Sequence, residues 1–204
     1  MKLGILLSGG KDSLLAATIA KRYHELACAI TVLSLNDASY MFHVPNVELT
    51  GLQATAMGIP HVTMETKGEK EDELKDLKKA IKEAKEEFGI EGIVTGAVCS
   101  QYQATRIQKI CNELDLYVFN PLWQMDQIEL LETLLKNNFK VVIAGVFAYP
   151  FDDTWLGREI DSVVIQELEK LMREYRINPS GEGGEIETLV LDCPLFRKQI
   201  IIED

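Results

Sequence analysis

The sequence contains no run of eighteen or more apolar residues, so nothing in it reads as a membrane-spanning helix. Its start, Met1-Lys2, leads straight into a short strand-like stretch without the apolar core and small-residue cleavage site of a secretory leader, and a cytoplasmic location is expected. The four cysteines, at 28, 99, 111 and 193, form no Cys-x-x-Cys pair. That removes the zinc-knuckle and thioredoxin-type readings and leaves them as small buried apolar residues. Uncompensated basic charge is also lacking. The formal net charge is -11, and in 67–87, the stretch richest in lysine, seven lysines are interleaved with eight acids. Neutralising a nucleic-acid backbone takes clustered Lys and Arg, so this stretch reads as a solvated helix face, and nucleic acid is not expected among the partners.

What is present is apolar material, 47% of 204 residues, enough for one domain or for a large and a small one. Residues 2–7 form a short apolar run ended by glycines, and from Asp12 onward Leu15, Ile19 and neighbouring alanines fall at helical spacing. The pattern recurs. Strands are predicted at 28–35, 61–64 and 92–95. Between them come a helix over 46–57 carrying Val47, Leu49, Leu52 and Ala56, and a long helix with the stripe Leu74, Leu77, Ile81, Ala84 and Phe88 that Gly89 stops. Ser100 and Gln103 have capping-box spacing before a helix carrying Ile107, Ile110 and Leu114. Alternation of this kind implies an α/β fold with a Rossmann-like, doubly wound parallel sheet over 1–120. Beyond Pro121 the rhythm changes: a helix capped by Asp126 through Lys136, a strand at 140–144, a helix over 161–175, a glycine-rich turn, and strands at 187–191 and 199–202. This half, 121–204, is expected to be a smaller α+β domain that binds the acceptor and acts as a lid.

Between the first strand and the first helix stands Ser8-Gly9-Gly10-Lys11-Asp12-Ser13. A glycine-rich turn at that junction points backbone N–H groups and a helix N-terminus at an anion. The helix end alone is worth about 0.3–1 kcal/mol per charge at exposed sites, too little to hold a triphosphate, so Lys11 and a magnesium ion contacted by Asp12 are expected to help. It is not a Walker loop: with Gly10-Lys11 in the terminal places the first glycine would fall on Ile5 and the Ser/Thr on Asp12. The plain alternative is a tight turn with no ligand. In open parallel sheets ligands lie beyond the carboxyl ends of the strands, which nominates this loop, the end of the second strand at Ser34 and Asn36, and the segment that starts at Gly96, as one pocket.

The 8–13 stretch resembles the pyrophosphate loop of the N-type ATP pyrophosphatases, which cleave ATP to AMP and pyrophosphate. Six further pieces resemble, in order and across nearly the whole chain, the diphthine–ammonia ligase family: Tyr40-Met-Phe-His43, Leu52-Gln-Ala-Thr-Ala-Met-Gly-Ile-Pro60, Gly96-Ala-Val-Cys-Ser-Gln-Tyr-Gln103 with Arg106-Ile107, Pro121-Leu-Trp123, Gly181-Glu-Gly-Gly-Glu-Ile-Glu-Thr188, and Asp192-Cys-Pro-Leu-Phe196. In many relatives Asn stands where this chain has Gly183. The resemblance implies a Rossmann-like enzyme that amidates diphthine, a modified histidine of translation elongation factor 2, with ammonia. ATP-magnesium would be consumed through an acyl-adenylate, releasing AMP and pyrophosphate. It also implies that the end of the second strand holds adenine and that Gly96 lets the nucleoside approach closely.

For the chemistry, Lys11 and Asp12 are the candidates at the phosphates. Glu182, Glu185 and Glu187 are candidates to orient ammonia or take its proton, although acids in a glycine-rich turn are also ordinary solvated groups. His43 and Arg106 could contact phosphate or carboxylate, or sit in a loop and on a surface ion pair. Because diphthine carries a trimethylammonium, Tyr102, Trp123, Tyr149 and Trp155 are candidates for a partial aromatic cage, against the plainer reading of core packing. No N-terminal nucleophilic cysteine follows Met1, so free ammonia is the expected nitrogen source. Two rivals stand beside this reading. A tRNA-thiolation adenylase would need a sulfur relay, such as one between Cys99 and Cys111, and an ATP-binding sensor would turn nothing over. Whether copies of the chain associate into a homo-oligomer is left open.

Overall fold

A computed structural model of the chain describes residues 1–34, 49–67 and 72–202. Five short strands, β1 (Lys2–Leu6), β2 (Glu25–Ser34), β3 (His61–Thr66), β4 (Gly92–Val94) and β5 (Tyr117–Phe119), pair in parallel in the order β3-β2-β1-β4-β5. The central strands β1, β2 and β4 are largely apolar on both sides because helices cover both faces. On one face lie α1 (Lys11–Lys21), with Leu14 and Leu15 fully buried, and α2 (Thr50–Met57), with Ala54 and Met57. On the other lie α3 (Asp72–Phe88), through Leu77, Ile81 and Ala84, and α4 (Gln101–Glu113), through Ile107 and Ile110. The α/β, doubly wound expectation holds.

The remaining elements are α5 (Gln127–Lys136), β6 (Lys140–Val146), α6 (Ser162–Tyr175) and β7 (Ile186–Asp192), with β6 and β7 antiparallel. Asp126 and Asp161 cap α5 and α6, each carboxylate accepting two backbone N–H groups of the first turn. This half packs on the α1 face: Leu130, Leu131, Leu134, Val164, Leu168 and Val190 share one core with Leu3, Leu14 and Leu15. Among the described residues no helix is long and apolar enough to cross a membrane.

Four details depart from the sequence reading. β5 was not expected; three residues are too few to carry a period. Residues 199–202 form no strand. Only the Ile200 N–H reaches Leu191 O, at 2.8 Å, and Ile201 and Ile202 stay exposed, so an apolar run here is not a buried one. On α2 the inward stripe is Thr50, Gln53, Ala54 and Met57, whereas Leu52 is exposed and Ala56 half-buried; the first residues expected of this helix, 46–48, lie outside the described residues. β2 starts three residues earlier than expected, at Glu25.

The chain runs from β1 outward to β3, then crosses back to β4 on the other side of β1. A crevice therefore opens beyond the carboxyl ends of β1 and β4, where the connections diverge.

Candidate active site

That crevice is a cavity of about 560 Å³, within the usual range for a small-molecule site. One wall comes from the β1–α1 loop, through Ser8, Gly10, Lys11, Asp12 and Ser13, and another from Thr95, Gly96 and Ala97 after β4. Leu6, Ile30, Val32, Leu77 and Ile107 supply an apolar floor. The fourth side belongs to the C-terminal half: Gly181, Glu182, Gly183 and Gly184 of the glycine-rich turn, then Ile186, Glu187 and Thr188 of β7.

The β1–α1 loop is tied partly to itself. Ser13 Oγ donates to Gly10 O at 3.0 Å and stands 3.2 Å from Ser8 Oγ. Two N–H groups at the helix start are directed at hydroxyls, Lys11 N–H at Thr188 Oγ1 (3.2 Å) and Gly10 N–H at Ser8 Oγ (3.4 Å). Both bonds are long, and both acceptors belong to cavity-lining residues. Gly96 is required by the protein's own backbone: a Cβ there would lie 2.6 Å from Asp12 C and Ser13 N. The residue lines the cavity, yet its lack of a side chain serves the packing of α1 against the β4 end.

Lys11 is only 3% exposed, and its Nζ donates to Asp12 Oδ2 at 2.9 Å. Asp12 Oδ1 is buried without a hydrogen-bond donor. Across the cavity, Glu182 Oε2 accepts the Cys99 N–H at 3.2 Å. Burial and the nearby Asp12 raise its pKa, against the pull of the Cys99 N–H and Lys11. Glu187 is pushed up to about 7, first by burial and then by Asp12, with Lys11 opposing. Among the described residues, one ammonium thus faces three carboxyl groups, and a polyanion entering here needs a cation with it.

Glu185 does not line this cavity. Its carboxylate is turned into the 178–185 loop, Oε1 accepting from Asn178 N (2.8 Å) and Asn178 Nδ2 (2.9 Å), and Oε2 from Gly183 N (2.9 Å). A Cβ on residue 183 would lie 2.6–2.8 Å from Asn178 Nδ2 and both Glu185 oxygens, so a side chain there would displace this clamp. Gln127, on the first turn of α5, extends the network: its Oε1 accepts from Ser180 Oγ (2.8 Å) and Ser180 N (3.2 Å), and its Nε2 donates to Asn178 Oδ1 (3.0 Å).

Of the residues singled out from the sequence, Ser8, Gly10, Lys11, Asp12, Ser13, Gly96, Glu182 and Glu187 meet around one cavity. Gly9 sits behind the loop, and Ser34 ends β2 without lining the cavity. Asn36 and His43 lie outside the described residues. The aromatic cage does not form among the described residues. Trp155 is 9% exposed, packed edge-on against Phe151 in the main core with Arg158 over its face; Arg106 stacks on the Tyr102 ring at 3.4 Å; Tyr149 meets Tyr175. None of Tyr102, Arg106, Trp123, Tyr149 and Trp155 lines the cavity. A Cys99–Cys111 relay is also disfavoured, since Cys111 is buried in the α3–α4 core and its thiol is pushed up to about 12 by burial. Sequence reasoning missed Gln127 and Asn178, and it quoted Gln53 and Thr188 without a role. Gln53 alone left a signal, a polar residue one turn from Met57 and Thr50 on a helix otherwise read as apolar inward.

Two family models match the chain: the diphthamide synthase N-terminal domain over 1–118 and the diphthamide synthase C-terminal domain over 126–204. Diphthine–ammonia ligases from Bos taurus and Homo sapiens are each 34% identical over 223 residues, which covers 100% of this chain and 83% of theirs. The diphthine–ammonia ligase of Schizosaccharomyces pombe is 31% identical over 221 residues, 100% of this chain and 36% of that longer protein.

Proposed function

The chain belongs to the diphthamide synthase family, and on that premise we propose that it is an ATP-dependent ligase converting the carboxylate of diphthine on translation elongation factor 2 to the amide of diphthamide with ammonia. The observation that carries the reading is the single cavity at the β1/β4 crevice, with Lys11 and Asp12 on one side and Glu182 and Glu187 on the other. A carboxylate is a poor acyl donor. Its oxygen therefore attacks the α-phosphorus of ATP, the bond to the β-phosphate breaks, and pyrophosphate leaves into the β1–α1 loop, where Lys11 and the helix N-terminus stabilise its charge. Ammonia attacks the acyl carbon, AMP departs, and the proton shed by nitrogen goes to a carboxylate; Glu187 is suited to take it, with a pKa near the working pH. The apolar floor of Ile30, Val32, Leu77 and Ile107 is a surface for the adenine ring. The turn at 181–184 excludes water from an intermediate that hydrolyses readily.

Magnesium fits this donor set as a companion of the nucleotide. Among the described residues no three His, Cys, Asp or Glu side chains converge to hold a metal, but Asp12 Oδ1 is free and buried, and one carboxylate plus phosphate oxygens and water is the usual magnesium environment. When bound, the ion neutralises charge on the departing pyrophosphate. The test supplies diphthine-bearing elongation factor 2, ATP-magnesium and ammonium. The expected result is the amide by mass with AMP and pyrophosphate, and Lys11→Ala lowers its formation on the order of 100–1,000-fold. Appearance of ADP, or full activity in Lys11→Ala, overturns the reading.

A further inference from the structure

Gln53 is fully buried on α2, behind the β1–α1 loop and outside the cavity. Its Nε2 donates to two backbone carbonyls, Gly9 O at 2.9 Å and Val190 O at 3.0 Å, and the Val190 N–H also reaches Gly9 O, at 3.3 Å. Both side-chain partners are acceptors, so the amide has one usable orientation; the flipped form would set its oxygen against two carbonyls. The price of that orientation is visible, since Oε1 is buried with no donor. A polar side chain held in this way inside an apolar core calls for a function.

The geometry of the peptide unit supplies one. The 9–10 peptide is trans, so the Gly9 carbonyl and the Gly10 N–H point in opposite directions. Gly9 has φ +88°, in the region that favours glycine, so its lack of a side chain lets the chain turn here. Gln53 and β7 fix that plane by capturing Gly9 O, and the Gly10 N–H is thereby aimed at the other side, where it meets Ser8 Oγ of the cavity wall at 3.4 Å.

We propose that Gln53 is a positioning residue for the pyrophosphate half of ATP, acting through the Gly9–Gly10 peptide together with Val190 of the C-terminal half. The inference rests on the ATP reading of this cavity and adds that the phosphate loop is completed by α2 and β7. The adenosine end of the nucleotide is not touched by this bridge.

The test is calorimetric titration of the full chain, wild type and Gln53→Leu, with inorganic pyrophosphate-magnesium, ATP-magnesium and adenosine, beside thermal unfolding. Leucine fills the volume and removes the orphan oxygen. The expected result is a folded variant whose Kd for pyrophosphate and ATP rises about tenfold, the size of one directed hydrogen bond to a charged group, with adenosine unchanged. Unchanged pyrophosphate affinity, or equal weakening of adenosine, overturns the proposal. Should Gln53→Leu not fold, Gln53→Glu takes its place. Glutamate can donate one bond only when protonated, so its pyrophosphate affinity relative to wild type recovers as pH falls, and a pH-independent ratio overturns the proposal. A wild-type chain that binds neither ATP nor pyrophosphate defeats the ATP reading itself and this inference with it; normal wild-type binding with an unaltered variant defeats this inference alone.

Discussion

The two loops that face each other across the cavity differ in what anchors them. The β1–α1 loop, the most recognisable stretch of the sequence, adds to its own Ser8, Gly10 and Ser13 bonds anchors from distant residues: Gln53 and Val190 hold Gly9 O, and Thr188 receives the Lys11 N–H. The 178–185 loop is built around a carboxylate clamp of its own, and Gln127, the Cys99 N–H and the Phe147 N–H tie it to its surroundings. Glu185 gathers three donors from Asn178 and Gly183, and two further backbone bonds, Gly181 N–H to Asn178 O and Gly184 N–H to Gly181 O, close it at 2.9 Å each. Gln127 ties it to α5 through side-chain bonds. On the proposed function, the loop that would receive pyrophosphate is thus braced from behind by α2 and β7, while the loop that carries Glu182 is clamped through Glu185.

The sharpest way to break this comparison is to unclamp the second loop. All three groups bonded to the Glu185 carboxylate are donors, and glutamine in its place offers one acceptor and presses an NH2 against a donor. Glu185→Gln is expected to lower stability by about 2 kcal/mol, the scale of hydrogen bonds to a charged group, seen in urea unfolding. The kcat for amide formation falls more than about tenfold because Glu182 loses its placement, while the KM for ATP holds, because the first loop is braced elsewhere. A matching rise in KM would show that the two loops share one support.

The next effect in size concerns protonation. Burial and Asp12 lift Glu187 to about 7 from an ordinary 4.5. As the proposed acceptor of ammonia's proton it must be ionised, so kcat is expected to rise through about pH 7 and level off above it, and Glu187→Gln to lose that rise and run slower at pH 8. Stability moves the other way. Between about pH 4.5 and 7 the folded chain binds a proton that the unfolded chain does not, so this group's contribution is present below the lower value and is lost as pH rises through about 7. Glu187→Gln should therefore melt higher than wild type at pH 8 and show no such advantage at pH 4. A parallel pH profile for the variant would remove Glu187 from proton transfer.

Much of this was readable from the sequence and some was not, for physical reasons that differ by residue. Alternation of period and glycine stops revealed the sheet and its helices, and the 8–13 motif marked the junction at which a ligand cavity opens. The sign of burial was less legible. Leu52 points out and Gln53 in, because α2 is gripped at both Gly9 and Val190 and not by apolar surface alone. Trp155 went to the core, where a large ring buries more area than at a rim. Three glutamates within six residues carry no label saying which is aimed at the ligand; only folding separates Glu182 and Glu187 from the clamped Glu185. Bonds spanning 137 or 177 residues, such as Gln53 to Val190 and Lys11 to Thr188, have no local signature at all.

The smallest expected effect tests the first loop's bracing at the bond made by the cavity-lining Thr188. Thr188 Oγ1 is the acceptor of the Lys11 N–H, a donor that a phosphate oxygen could equally satisfy. Thr188→Val keeps the shape and removes the hydroxyl, leaving that buried N–H without a partner. The empty variant is expected to lose about 1 kcal/mol. With saturating pyrophosphate-magnesium the N–H gains a new acceptor, so the gap in melting temperature between variant and wild type should narrow. A gap that persists unchanged would mean that the N–H keeps to the β7 side and never turns to the ligand, so that bracing from the C-terminal half and binding of the phosphates draw on separate groups of this loop.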